Sequence, residues 1–149
     1  MMMTDASLPE QMWFEVRKAA TLMERRAESV VMAKTGVTLA LFMVLSVLHA
    51  RDTPVSQQAI ADRLGLTKGT VSRLLESARR EGYVTSEVAA ASRRERAVAL
   101  TTSGRKIVEA GDAALALSDL AHFASKDPTT ALAVIGGLRG FIESMEVNP

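Results

Sequence analysis

Apolar residues recur at helical spacing along most of this chain, and the period changes once, near the middle. From Glu10 to about Met32, the residues Met12, Val16, Ala19, Ala20, Met23, Ala27 and Val30 keep a period near 3.6, which predicts an amphipathic helix. Arg17, Lys18, Arg25 and Arg26 ride its wet side, and Trp13 and Phe14 add bulk near its start. Lys34-Thr35-Gly36 ends it. Val37 to Ala50 is apolar nearly all round, so this next helix is expected to be central and buried. Its greasiest run, Val37 to Leu48, is twelve residues long, whereas a membrane span needs about 20. Arg51-Asp52-Thr53-Pro54 then makes a polar turn.

A shorter helix follows. Ser56 is placed to cap it, since a serine hydroxyl accepts from an orphan N–H of the opening turn. Ala59, Ile60, Ala61 and Leu64 give it an apolar side, and Gly65 stops it in the left-handed conformation that helix ends favour. Leu66 is expected to drop from the turn into the core. Thr67 caps a second helix over 67–81, in which Val71, Leu74, Leu75 and Ala78 form one stripe at i, i+3, i+4 and i+7. Lys68, Thr70, Ser72, Arg73, Ser77 and Arg80 lie mostly off it, and Glu81-Gly82 closes the helix. Two helices joined by a short glycine-containing turn make a helix-turn-helix, whose second helix enters a DNA major groove N-terminus first. Here that end reads Thr67-Lys68-Gly69-Thr70. Gly69 costs about 1 kcal/mol of helix propensity, which makes sense where a phosphate or base must come close.

After Gly82 the period becomes two. Tyr83 to Val88 and Arg96 to Leu100 read as paired strands, joined through Ala89 to Glu95 by a loop carrying Arg93 and Arg94. A helix-turn-helix with a basic hairpin is a winged helix, and a minor groove's negative potential attracts the arginines of such a wing. Thr101-Thr102-Ser103 then opens a long helix expected to run to about Ala124, through Ile107, Val108, Leu115, Leu117 and Leu120. Asp127 caps the last helix and Pro128 takes its first position. That helix carries Leu132, Ile135, Leu138, Ile142 and Met145. Its glycines, Gly136, Gly137 and Gly140, imply either a closely packed neighbour or a mobile segment.

Composition narrows the function. A chain of 149 residues with 48% hydrophobic and 23% charged residues has the makeup of one folded domain. It has no cysteine, which rules out disulfides and thiolate metal sites and fits a reducing, cytoplasmic setting. Met1 to Glu10 is polar and acidic, unlike a secretory leader, and no membrane contact is expected. The net charge of +1 hides an uneven distribution. Residues 51–110 hold eleven Lys and Arg against seven Asp and Glu, while the remainder holds seven against ten. The surplus of positive charge thus lies on the segment suspected of meeting phosphates. Catalysis finds no support: His49 and His122 are the only histidines and have no metal-ligand spacing, and there is no phosphate loop or G-x-S-x-G. No enzyme activity and no cofactor are expected. The rival reading is a winged helix used for protein–protein contact. Such modules lose the cations that this chain keeps at Lys68, Arg73, Arg93, Arg94 and Arg96.

The order of elements resembles the MarR family of bacterial transcriptional regulators. The residues that carry the resemblance are QQAIADRLGLTKGTVSRLLESARREGYV and RRERAVALTTSGRKIVEA, the second close to the family's wing exit, with Leu100-Thr101 and then Gly104. The first motif is also similar to IclR-type regulators, but there it opens the chain and a large ligand domain follows. One departure concerns the wing, where the family usually carries Asp-x-Arg. Ser92 falls at the aspartate and Arg94 at the arginine, which leaves Arg94 either freer or partnered by Glu95.

The resemblance implies a mainly α fold with a small β-hairpin wing, a winged helix-turn-helix flanked by dimerisation helices. Residues 1–9 are then a flexible tail and 10–149 a single domain. Within it, 10–50 and 102–149 form the dimerisation region and 51–101 the DNA-binding lobe. The expected partners are double-stranded DNA and a second copy, with two recognition helices matching a palindrome. The expected contact set is Ser56, Gln57, Thr67, Lys68, Gly69, Thr70, Ser72, Arg73, Arg93, Arg94 and Arg96. Many relatives also bind a small aromatic effector beside the dimerisation helices. Trp13, Phe14 and His49 are the residues to inspect for such a pocket.

Overall fold

Ser7 starts the first helix. Its hydroxyl accepts from the Glu10 N–H, while its own N–H donates to the Glu10 carboxylate at 3.0 Å, a reciprocal capping box. That Ser7 N–H, together with the Ser7 hydroxyl, which also donates to the carboxylate at 3.0 Å, holds the Glu10 carboxyl below the ordinary glutamate range. The computed structural model describes residues 6–51, 53–88 and 96–147. In it helix α1 spans Leu8–Thr35. It therefore takes in Leu8 and Pro9, which the sequence reading assigned to a tail; a proline suits a first turn, where its missing N–H leaves nothing unsatisfied.

Gly36, at φ 74°, turns the chain out of α1, and Thr38 caps helix α2, Leu39–His49. The second helix thus begins two residues later than its apolar run. Glu28 of α1 accepts from the Leu39 N–H at 3.0 Å, tying the two helices at that corner. Leu41, Phe42, Val44, Leu45 and Leu48 of α2 are buried, as the all-round apolar pattern predicts. Among the described residues, no single helix is long and apolar enough to cross a membrane.

Strand β1 (Val55–Ser56) leads into α3 (Gln57–Leu64), then come α4 (Lys68–Arg80), β2 (Val84–Val88), β3 (Arg96–Leu100), α5 (Thr102–Leu115), α6 (Asp119–Lys126) and α7 (Pro128–Val147). The three strands form one antiparallel sheet in the order β1-β3-β2. Ile60 of α3, Val71 and Leu75 of α4, Val98 of β3 and Val108 of α5 join Phe42, Val44 and Leu45 as fully buried side chains. Two glycines mark close approaches. A β-carbon on Gly104 would meet the carbonyl oxygen of Tyr83, and one on Gly111 would meet the Phe42 ring.

Several expectations need correction. The helix expected to run from about 101 to 124 is two helices, because Ser118 caps α6 by accepting from the Ala121 N–H. Ala59 and Leu66 are exposed rather than in the core. The Ala61 carbonyl accepts from the N–H groups of both Gly65 and Leu66, and the Leu66 side chain remains 37% exposed. In α1 the only buried residue is Val31, while Met12, Trp13, Phe14, Leu22 and Met23 are all exposed.

The chain forms two compact units, one ending at Ala114 and the other beginning at Leu115. Among the described residues of the second unit none is buried.

Candidate nucleic-acid interface

The site is built on α3, the turn after it, and α4. Ser56 belongs to β1 and also caps α3, its hydroxyl accepting from the Ala59 N–H at 3.1 Å. Because β1 pairs with β3 (Val55 opposite Val98, Ser56 opposite Ala97), the start of α3 is fixed to the root of the hairpin. Two residues are too short a run to show alternation, so the sequence reading missed this strand. Gly65 ends α3 at φ 65°, a left-handed conformation that a β-carbon would penalise.

Thr67 caps α4 by accepting from the Thr70 N–H at 3.2 Å. The two threonine hydroxyls lie 2.9 Å apart, and an Arg73 Nη donates to Thr70 Oγ1 at 3.4 Å. A chain of contacts therefore runs from the cap to the guanidinium. Val71, Leu75 and Ala78 are buried, and Leu74 is half-buried. Lys68, Gly69, Ser72, Arg73, Glu76 and Arg80 are exposed and share the opposite face. Thr70, Ser56 and Gln57 are half-buried. The structure thus gathers Thr67, Lys68, Gly69, Thr70 and Arg73 at one helix end, with Ser72 on the same surface.

The hairpin pairs Val84 with Leu100 through to Val88 with Arg96. Arg96 is the first residue of β3. Arg93 and Arg94, with Ser92 and Glu95, lie outside the described residues, as does Asp52 of the earlier turn.

Two polar residues in this region escaped the sequence reading. Arg79 donates to Glu76 at 2.8 Å and, through its other Nη, to the Ser86 hydroxyl of β2. The available signal was a serine at an inward position of a strand, two residues from buried Val84.

Trp13 and Phe14 flank an open depression of about 500 Å³ on α1, completed by Arg17, Lys18, Thr21 and Leu22. The Arg17 guanidinium lies 5.7 Å from the Trp13 ring centroid, within the range of a cation–π contact. His49, at the end of α2, is not part of that lining, so the trio is not assembled. Helical spacing puts Trp13 and Arg17 four residues apart on one face, whereas nothing in the sequence fixes His49 relative to them.

A family model described as the MarR family matches residues 35–95. No curated protein matches the sequence. Among solved structures, MepR of S. aureus in complex with DNA superposes with a TM-score of 0.75 at 24% identity, covering 89% of this chain and 96% of that one. A MarR/EmrR family regulator from Acinetobacter sp. ADP1 gives a TM-score of 0.76 at 22% identity, covering 93% and 99%. CouR from Rhodococcus jostii RHA1, bound to p-coumaroyl-CoA, gives 0.74 at 19% identity, covering 97% and 98%. At these identities the likeness is one of fold.

Proposed function

We propose that this chain, whose residues 35–95 match the MarR family model, is a homodimeric transcriptional regulator of that family acting on a palindromic operator. In this reading α4 of each copy lies in a major groove and the wing over 89–96 follows the adjacent minor groove. Lys68 and Arg73 face the major groove and its phosphates. Arg93, Arg94 and Arg96 serve the minor groove, while Ser56 and Gln57 steady the backbone beside α3. Repression is the simplest mode, since a bound dimer occludes its site.

The observation that carries the reading is the exposed end of α4. Lys68, Gly69 and Arg73 are exposed there, and among the described residues Arg73 is aligned by Thr70 rather than paired with an acid. Guanidinium groups presented this way suit bidentate contact with guanine or with phosphate. The solved MepR structure with DNA supports the same use of the fold. CouR with its acyl-CoA supports an effector for this chain, and an aromatic one suits the exposed indole of Trp13 beside Arg17.

Selection of duplexes from a random pool, run with and without aromatic acids and their thioesters, tests this directly. An inverted repeat with half-sites about one helical turn apart is the expected product. Arg73→Ala should relax preference at particular base pairs by about 1–3 kcal/mol. Lys68→Ala should weaken all sequences alike and lower the salt slope by about one. A pool that never enriches would move the fold to the protein-contact reading.

A further inference from the structure

We propose that Arg79 is a positioning residue that sets the angle of the wing against the recognition helix, and that it does so through Ser86. The inference rests on the DNA-binding reading above. The hairpin leaves the body of the protein at Gly82–Tyr83, where Thr101 holds it: Thr101 Oγ1 donates to the Gly82 carbonyl at 2.6 Å, and its N–H to the Tyr83 carbonyl at 3.0 Å. A two-stranded ribbon attached at its root can still rock about that point.

A second attachment lies farther out. Val84 and Ser86 share one face of β2, and that face turns inward, since Val84 is buried and Ser86 half-buried. Ser86 sits three residues beyond Tyr83, about 10 Å along an extended strand. Its hydroxyl accepts from one Nη of Arg79, and the other Nη donates to Glu76 at 2.8 Å. The guanidinium is therefore spanned between α4 and β2. A planar fork held at two points fixes direction as well as distance, which a lysine would not.

Arg79 Nε is buried with no hydrogen-bond partner among the described residues. A buried polar N–H left unmatched costs stability and calls for an explanation. Placement of the wing supplies one. Beyond Ser86, β2 and β3 stay paired out to Val88 and Arg96, so a small rotation at Ser86 is carried outward to that end of the two strands. Root and strut together leave the hairpin one orientation relative to α4, and both DNA-facing parts then reach one duplex without reordering.

The test uses the full chain, the duplex recovered by selection, and a scrambled duplex of equal length, titrated across a range of salt. Ser86→Ala and Arg79→Met should weaken binding to both duplexes by the same factor, about threefold to tenfold, and lower the salt slope by about one. Preference among base-substituted duplexes should stay as in the parent protein, because the end of α4 from Thr67 to Arg73 is untouched. The melting temperature should shift by no more than about 8 °C, the size expected of one lost hydrogen bond. Ser86→Thr, which keeps the hydroxyl, should restore both affinity and slope.

Parental affinity and slope in Ser86→Ala would overturn the proposal, as would a Ser86→Thr protein as weak as Ser86→Ala. A loss confined to the selected duplex would overturn it too, by placing Arg79 in base recognition. If the parent protein shows no salt-dependent binding to either duplex, the DNA-binding reading falls and this role falls with it. Parental binding with unaffected variants removes only the positioning role.

Discussion

Gly69 has open space around it: a β-carbon there would meet nothing within 4 Å among the described residues, so none of their packing requires a glycine. It sits at the second position of α4, where alanine would raise helix stability by about 1 kcal/mol. A residue that costs stability without an internal reason points outward. Gly69→Ala is therefore expected to stabilise the free protein by up to about 1 kcal/mol in thermal unfolding, and to weaken binding to the selected duplex. Undiminished DNA binding in that variant would remove the case for close backbone approach at Gly69. Gly104 and Gly111 are the opposite kind, since added carbons there would meet the Tyr83 carbonyl and the Phe42 ring. Composition could not separate the two kinds. The distinction depends on neighbours far away in sequence.

At the scale of elements, the signals that acted were short-range. Ser56, Thr67 and Asp127 each accept from a backbone N–H three residues on, as the sequence suggested. Gly65 takes the left-handed conformation that ends α3. Ser118 has the same chemistry but stands inside an apolar run, and the periodic pattern across it hid the break between α5 and α6. Ser118→Ala should cost about 1 kcal/mol of local stability, seen as faster amide exchange through α6 with α5 unchanged. Equal protection in both helices would show that the Ser118 cap does not govern the break. β1 was hidden for another reason: a two-residue strand exists only because β3 lies beside it.

For the molecule as a whole, the issue is what covers its apolar surface. Trp13 and Phe14 in α1, and Leu132, Ile135, Leu138, Ile142 and Met145 in α7, are all exposed. Soluble proteins rarely leave patches of that kind open, and the unit beginning at Leu115 buries nothing among its described residues. A dimer of the kind proposed above would cover them. Ile135 and Ile142, seven residues apart, share one face of α7. Changing both to Glu should convert a dimer to a monomer in sedimentation, and lower affinity for an inverted repeat by about a hundredfold or more through lost bivalency. A monomeric parent protein at working concentrations would overturn the dimer.

By itself the sequence determined the helix-turn-helix, the strands of the wing, the apolar central helix and the uneven placement of charge. Each of these rests on caps, turns and periods that act within a few residues of their source. Only the tertiary structure decided that β1 ties α3 to the hairpin, that Arg79 reaches Ser86, and that His49 stands apart from Trp13 and Phe14. Such pairings depend on how whole elements settle to bury Phe42, Leu45 and Leu75, a sum over distant residues that no local stretch encodes.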